Sequence, residues 1–156
     1  MKLKLILTGK TKAGYLQEGV DEYVKRIKRY APLIVEMIPD LRLSGKMSTG
    51  EVKKLEGQQI LQRLRPSDHV ILLDERGKRF TSEAFAHYLE GLEGRTGQTV
   101  FVTGGAYGFS EEVLDRGDQK ISLSDMTFSH QMVRLIFSEQ LYRAYTILNG
   151  EPYHHK

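Results

Sequence analysis

Cysteine is missing altogether from this chain of 156 residues. That excludes a disulfide scaffold, thiolate metal sites and a cysteine nucleophile, and it fits a reducing cytosol. Long hydrophobic runs are missing too. No stretch approaches the ~20 apolar residues of a membrane span, and the opening MKLKLILTGKTK has too short an apolar part for a signal peptide and no cleavage-site pattern. No internal repeat, low-complexity tract or linker breaks the interior. The expectation is one soluble, cytoplasmic domain over residues 1–156, without a membrane partner.

Several catalytic signatures are absent as well. No G-x-x-x-x-G-K-[ST] loop is present to cradle a nucleotide phosphate. No G-x-S-x-G elbow offers a serine nucleophile. No H-x-x-x-H pair sits at metal-binding spacing, and neighbouring residues such as His154 and His155 rarely aim at one ion without further ligands. No metal site is expected.

What remains is ordinary in bulk and uneven in detail. Hydrophobic residues make up 40% of the chain and charged ones 28%, a normal globular balance. Basic residues outnumber acidic ones 23 to 20, giving a net charge of +3. This permits a polyanionic partner without demanding one. Lys2, Lys4, Lys10 and Lys12 crowd the start, and VKRIKRY groups Lys25, Arg26, Lys28 and Arg29. The plainest reading of that group is a solvated helix face.

Periodicity supplies the elements. KLKLILTG (2–9) reads as a strand closed by Gly9. Leu16, Val20, Tyr23, Val24 and Ile27 recur at helical spacing over 14–30. PLIVEMIPD (32–40) is a strand between prolines, and LRLSGKM is a loop. Ser48 and Glu51 form a capping box for a helix over 49–64. HVILLD (69–74) is a near-continuous apolar strand of the kind buried on both faces in parallel sheets. ERGK reads as a turn, 82–93 as a helix and GQTVFVTG (97–104) as another buried strand. Ser110-Glu111-Glu112 opens a short helix, QKISLS (119–124) is a strand, 129–148 is the last long helix, and EPYHHK is the tail. Strands alternating with helices predict an α/β domain with a mostly parallel sheet and helices on both faces.

In such sheets ligands bind beyond the carboxyl ends of the strands. Three stretches fall there: LLDERGK, TGGAYGF and SLSDMTF. They are expected to meet in one cleft. The glycine pair in VFVTGGAYGFS raises its own question, since glycine after a strand lets the backbone approach something closely. A tight turn would explain it, as would a bound group. The dinucleotide fingerprint does not, because Ala106 stands where a spaced glycine is required. The polar, small-residue loop SLSDMTFSH offers backbone N–H and C=O groups that can read an adenine edge. In the last helix Val133, Phe137, Leu141, Tyr145 and Leu148 make an apolar line. Arg134, Glu139 and Arg143 lie off it. Glu139 and Arg143 are spaced i, i+4, which suits either a surface pair or a functional one.

Taken together, LLDERGK, VFVTGGAYGFS and ISLSDMTFSHQMVRLIFSEQLYRAYTILNGEPYHHK resemble the RlmH family of the SPOUT methyltransferase superfamily. The similarity runs the length of the chain, and the part from Ser122 to His154 is the specific one. The resemblance implies an α/β sheet with a C-terminal trefoil knot and a homodimer. It implies S-adenosyl-L-methionine as methyl donor, held at Leu73, Gly104, Gly105, Leu123, Ser124, Asp125, Met126, Thr127 and Phe128. It implies a pseudouridine of a large-subunit (23S) ribosomal RNA stem-loop as target, methylated at N3 within the assembled ribosome.

On that footing the target imide must lose a proton, and histidine is the usual base near neutrality. His154 is the expected base, with Tyr153 stacking on the flipped base and Arg143 binding phosphate or the developing anion; His155 stands beside it. Asp125 invites a role as counter-ion to the sulfonium, but main-chain contacts from its loop account for binding as well. Lys10, Lys12 and the Lys25–Arg29 cluster are expected to act as one RNA-binding surface. Two other classes stay open: a non-catalytic ribosome- or RNA-binding module of the same fold, and an α/β enzyme acting on a small metabolite.

Overall fold

A computed structural model describes residues 1–42 and 45–155. The expected loop over 41–47 therefore lies partly outside the described residues, as does Lys156 at the end of the tail. The elements alternate: β1 (Lys2–Thr8), α1 (Gly14–Ile27), β2 (Leu33–Ile38), α2 (Thr49–Gln62), β3 (His69–Arg79), α3 (Ser82–Glu90), β4 (Gln98–Thr103), α4 (Glu111–Arg116), β5 (Gln119–Ser122) and α5 (Met132–Leu148).

The five strands form one sheet in the order β2-β1-β4-β3-β5, and every neighbouring pair is parallel. A parallel sheet needs cover on both faces, and the buried side chains divide accordingly. On one face α1, α3 and α5 pack Val20, Val24, Ile27, Phe85, Leu89, Phe137 and Leu141 against Leu3, Leu5, Ile71 and Phe101. On the other, α2 and α4 contribute Ile60 and Val113, which meet Ile6, Val70, Leu72, Val100 and Val102. Phe137 is fully buried, its ring centroid 4.8 Å from that of Phe101. Each such side chain stabilises the fold by ~1.5–3 kcal/mol.

Three helices start where the sequence provides a cap. Ser48 Oγ accepts from Glu51 N at 3.2 Å, Thr81 Oγ1 from Ala84 N at 3.1 Å and Ser110 Oγ from Val113 N at 3.4 Å.

Two expectations need correction. ERGK is not a turn that ends the strand. β3 pairs with β5 at Leu73–Ile121, bulges through residues 74–77, then resumes at Lys78–Ile121 and Arg79–Ser122. Gly77 permits the resumption, because a Cβ there would lie 2.5 Å from Ile121 N. And α5 begins at Met132 rather than at 129. Ser129 caps the turn before it, its Oγ accepting from Met132 N at 3.1 Å, while the Gln131 side chain accepts from Lys12 N at 2.9 Å and donates to Lys10 O at 3.0 Å.

Candidate active site

The three loops predicted from topology do converge. Residues 73–76, 103–109 and 121–128 surround a cavity of about 520 Å³ at the carboxyl ends of β3, β4 and β5. Leu73, Gly104, Gly105, Leu123, Ser124, Met126, Thr127 and Phe128 all line it. Asp125 does not; its exposed carboxylate pairs with Arg79 at 2.6 Å. The 122–128 loop holds itself in shape. Ser122 Oγ donates to Ser124 O at 3.0 Å, and Ser124 Oγ accepts from Met126 N at 2.9 Å. Met126, 76% exposed, stands at the rim.

The glycine pair meets neighbours of two kinds. A Cβ on Gly104 would lie 3.4 Å from the buried Phe109 ring. A Cβ on Gly105 would lie 2.4 Å from the Glu56 carboxylate, which α2 delivers. Burial, and then the charge of Asp40, push the Glu56 carboxyl above its ordinary range.

Several lining residues went unnoticed in the sequence. Asp74 is one. Its burial works against ionisation, but hydrogen bonds and charge from Arg76 outweigh that and hold the carboxyl below its usual range. Arg76 N donates to Asp74 Oδ1 at 2.8 Å. Glu75 accepts from Thr127 Oγ1 at 3.4 Å, tying the β3 bulge to the 122–128 loop. These acids sat in plain view within LLDERGK. Lys53 and His130 also line the cavity, and no local pattern marks either. Burial, followed by the charges of Arg134 and Lys12, holds His130 below the ordinary histidine value.

Arg134, read as lying off the apolar line, is instead fully buried. Its Nη2 donates to Thr8 O at 2.6 Å, and Nη1 to Gly9 O and Thr11 Oγ1, both at 2.8 Å. The guanidinium thus satisfies the carbonyls at the end of β1 and fixes the start of α5 beside the cavity.

The three expected catalytic residues come together elsewhere. Arg143 Nε donates to Glu139 Oε1 at 3.1 Å, and Tyr153 Oη donates to the same oxygen at 3.1 Å. The Arg143 guanidinium lies 4.8 Å above the Tyr153 ring. Its Nη1 is 3.1 Å from His154 Nδ1. A guanidinium only donates, so Nδ1 accepts, and His154 Nε2 donates to Glu83 Oε1 at 3.0 Å. Burial, then a hydrogen bond with Tyr23 and the charge of Glu139, push the Tyr153 phenol up. The Glu139 hydrogen bond raises Arg143. None of the three lines the cavity. Along α5, Arg143 lies about ten residues beyond the lining Val133, a rise of ~15 Å.

The basic residues also divide. Lys10 and Lys12 precede α1 at the cavity end of the sheet, whereas Lys25, Arg26, Lys28 and Arg29 lie at its far end, fourteen helical residues away, ~20 Å. They are not one patch on a single chain. Arg26 is engaged locally, with Glu22 Oε1 at 2.9 Å and the Tyr142 ring at 5.4 Å.

Comparison with known proteins agrees with this architecture. The family model described as "Predicted SPOUT methyltransferase" matches residues 1–154. The chain is 53% identical to the ribosomal RNA large subunit methyltransferase H of Parabacteroides distasonis, 51% to that of Porphyromonas gingivalis and 50% to that of Christiangramia forsetii, each over the whole of both chains. With a family model that spans residues 1–154 and relatives 50–53% identical over their whole length, the chain belongs to the SPOUT methyltransferase family and, within it, to the RlmH family.

Proposed function

We propose that the protein transfers a methyl group from S-adenosyl-L-methionine to N3 of a pseudouridine in a stem-loop of large-subunit (23S) ribosomal RNA, in the cytoplasm, on the assembled ribosome and as a homodimer. The observation that carries this reading is the cavity: three strand-end loops enclose about 520 Å³, within the ~300–1,000 Å³ typical of small-molecule sites. The names of the full-length relatives point to the RNA.

The cavity suits the donor. Leu73 offers an apolar wall, Gly104 and Gly105 bring bare backbone to the lining, and residues 123–128 present main-chain groups suited to an adenine edge. When bound, the donor supplies a methyl group on a sulfonium that leaves as a neutral thioether. The chain's own residues then bind and orient; such positioning supplies up to ~7–11 kcal/mol. Arg143 turns from His154 Nδ1 to face the anion that develops, the freed Nδ1 lone pair takes the N3 proton while Nε2–H stays on Glu83, and Tyr153 stacks on the extruded base, with Glu139 anchoring both Tyr153 and Arg143.

The tail cluster stands outside the cavity lining, with Arg143 ten residues further along α5 than Val133, and this supports a composite site, in which the tail of one subunit serves the cavity of the other. Pairing two copies would also let both basic clusters face one RNA. A trefoil knot is part of the same reading. After β5, at one edge of the sheet, the chain crosses the cavity rim to reach the end of β1, where Gln131 and Arg134 fasten it.

The test is direct. Protein, donor and ribosomes from a strain lacking the modification are incubated together, and the methyl group is located by mass spectrometry. A methyl on another base or position defeats the assignment. Donor binding is titrated alongside, since its absence would favour the RNA-binding module without catalysis.

A further inference from the structure

A second cavity, of about 360 Å³, adjoins the first and shares Gly105, Ala106, Tyr107 and His130 with it. Of the proposed donor and catalytic residues only Gly105 reaches it. Some of its polar groups are already occupied within the chain. Asp40 Oδ1 accepts from Lys10 N at 2.9 Å, and both ends of the Gln131 amide are engaged with residues 10 and 12.

Two polar atoms of its lining residues, Thr8 Oγ1 and Glu56 Oε1, are buried with no hydrogen-bond partner among the described residues. Native interiors rarely leave such atoms unmatched, since they forfeit their hydration without recompense. Glu56 is the charged one of the two, and a turn of its carboxyl would bring this oxygen to the cavity, where a ligand's N–H donor would satisfy it. Tyr107, on the shared wall, is 54% exposed and so free to stack on a flat group. Lys12 brings positive charge to the same cavity. With Asp40 and Glu56 in the lining the cavity disfavours a phosphate inside, while Lys12 favours one at its edge. A flat group with an N–H edge, attached to a phosphate chain, meets all of these conditions.

We propose that this second cavity receives an unstacked nucleobase that neighbours the target in the RNA substrate, its N–H edge on the Glu56 carboxyl and its face against Tyr107. The proposal rests on the RNA reading above. Gly105 then has a second purpose: the lack of a side chain there lets Glu56 reach the wall between donor and base.

The experiment compares Glu56→Met, which keeps length but removes both acceptor oxygens, with Glu56→Gln, which retains one. Affinity for unmethylated ribosomes is measured with S-adenosylhomocysteine present, donor affinity by calorimetry, and folding by thermal melting. Glu56→Met is expected to melt no lower than wild type, to bind donor within twofold of it and to lose ~10–100-fold in ribosome affinity; Glu56→Gln recovers part of that loss. Unchanged ribosome affinity in Glu56→Met overturns the proposal, as does an equal loss of donor affinity, which would assign Glu56 to the donor. If wild-type protein itself fails to bind ribosomes, the functional reading falls and this one with it.

Discussion

Arg134 and Thr8 are 126 positions apart in sequence and joined by a buried 2.6 Å hydrogen bond. The helix that follows the cavity loops is thereby fastened to the end of the first strand. Arg134→Ala leaves the Thr8 and Gly9 carbonyls without this donor, and each unsatisfied buried group costs ~1–3 kcal/mol. A total loss of ~2–5 kcal/mol is expected, measured by urea unfolding. Arg134→Lys, with one ammonium in place of a planar fork, is expected to recover only part of it.

The glycines at 77 and 105 predict opposite outcomes for the same substitution. A Cβ at Gly77 meets backbone atoms of Lys120 and Ile121, which cannot yield. Gly77→Ala should cost ~1–3 kcal/mol, as overpacking does, and weaken donor binding through the displaced β5. At Gly105 the obstacle is the end of a flexible side chain, so Gly105→Ala should shift the melting temperature little.

Gly104 separates binding from folding. Its Cβ position lies 3.4 Å from the Phe109 ring, close but tolerable for one carbon. Gly104→Val directs its further carbons at the Phe109 ring and the Gly108 backbone, both of which line the cavity, and so deforms the wall of the proposed donor site. Its donor affinity is expected to fall at least tenfold, ~1.4 kcal/mol, with a smaller effect on melting. Unchanged affinity would remove Gly104 from the donor site.

His154→Ala is expected to lower the methyl-transfer rate by ~10²–10⁴-fold, the range for loss of a general base. Its donor affinity should stay at the wild-type value, because His154 lies outside the cavity. Single-turnover kinetics with unmethylated ribosomes measure the step. A wild-type rate would transfer the role to another group, His155 first.

Asp74 sets an acid limit. Its folded-state value lies below the ordinary one, so the native state binds its proton less readily than the unfolded chain. The ionised carboxylate therefore adds stability above about pH 4, and that contribution is lost as pH falls through the folded value. Asp74→Asn should melt lower than wild type at pH 7. The gap should close in strong acid, as melting scans across pH will show.

Much of the fold could be read from the chain because its strands are nearly continuous apolar runs between capped helices. The meeting of LLDERGK, TGGAYGF and SLSDMTF followed from topology alone, since parallel strands gather their carboxyl ends on one side. Other features had no local signature. ERGK has the composition of a turn, yet it contains a bulge whose second half returns to the ladder beside β5. Arg134 has the composition of a surface position, and its partners are carbonyls at the opposite end of the chain. Glu56 sits on a helix that alternates polar and apolar residues unremarkably; only the packing of α2 on the sheet brings it to Gly105. The spacing between the tail and the cavity depends on the length of α5, which a pattern of residue types does not convey.

The Arg134 link also constrains how the molecule is made. During synthesis β1 emerges first, yet the donor for its terminal carbonyls arrives only after 133 residues have been added. Until then the nascent strand end must stay hydrated or borrow temporary partners. Translation therefore cannot deliver this architecture piece by piece, and pulse-labelled ribosome-bound fragments ending before α5 should remain sensitive to protease near residue 9.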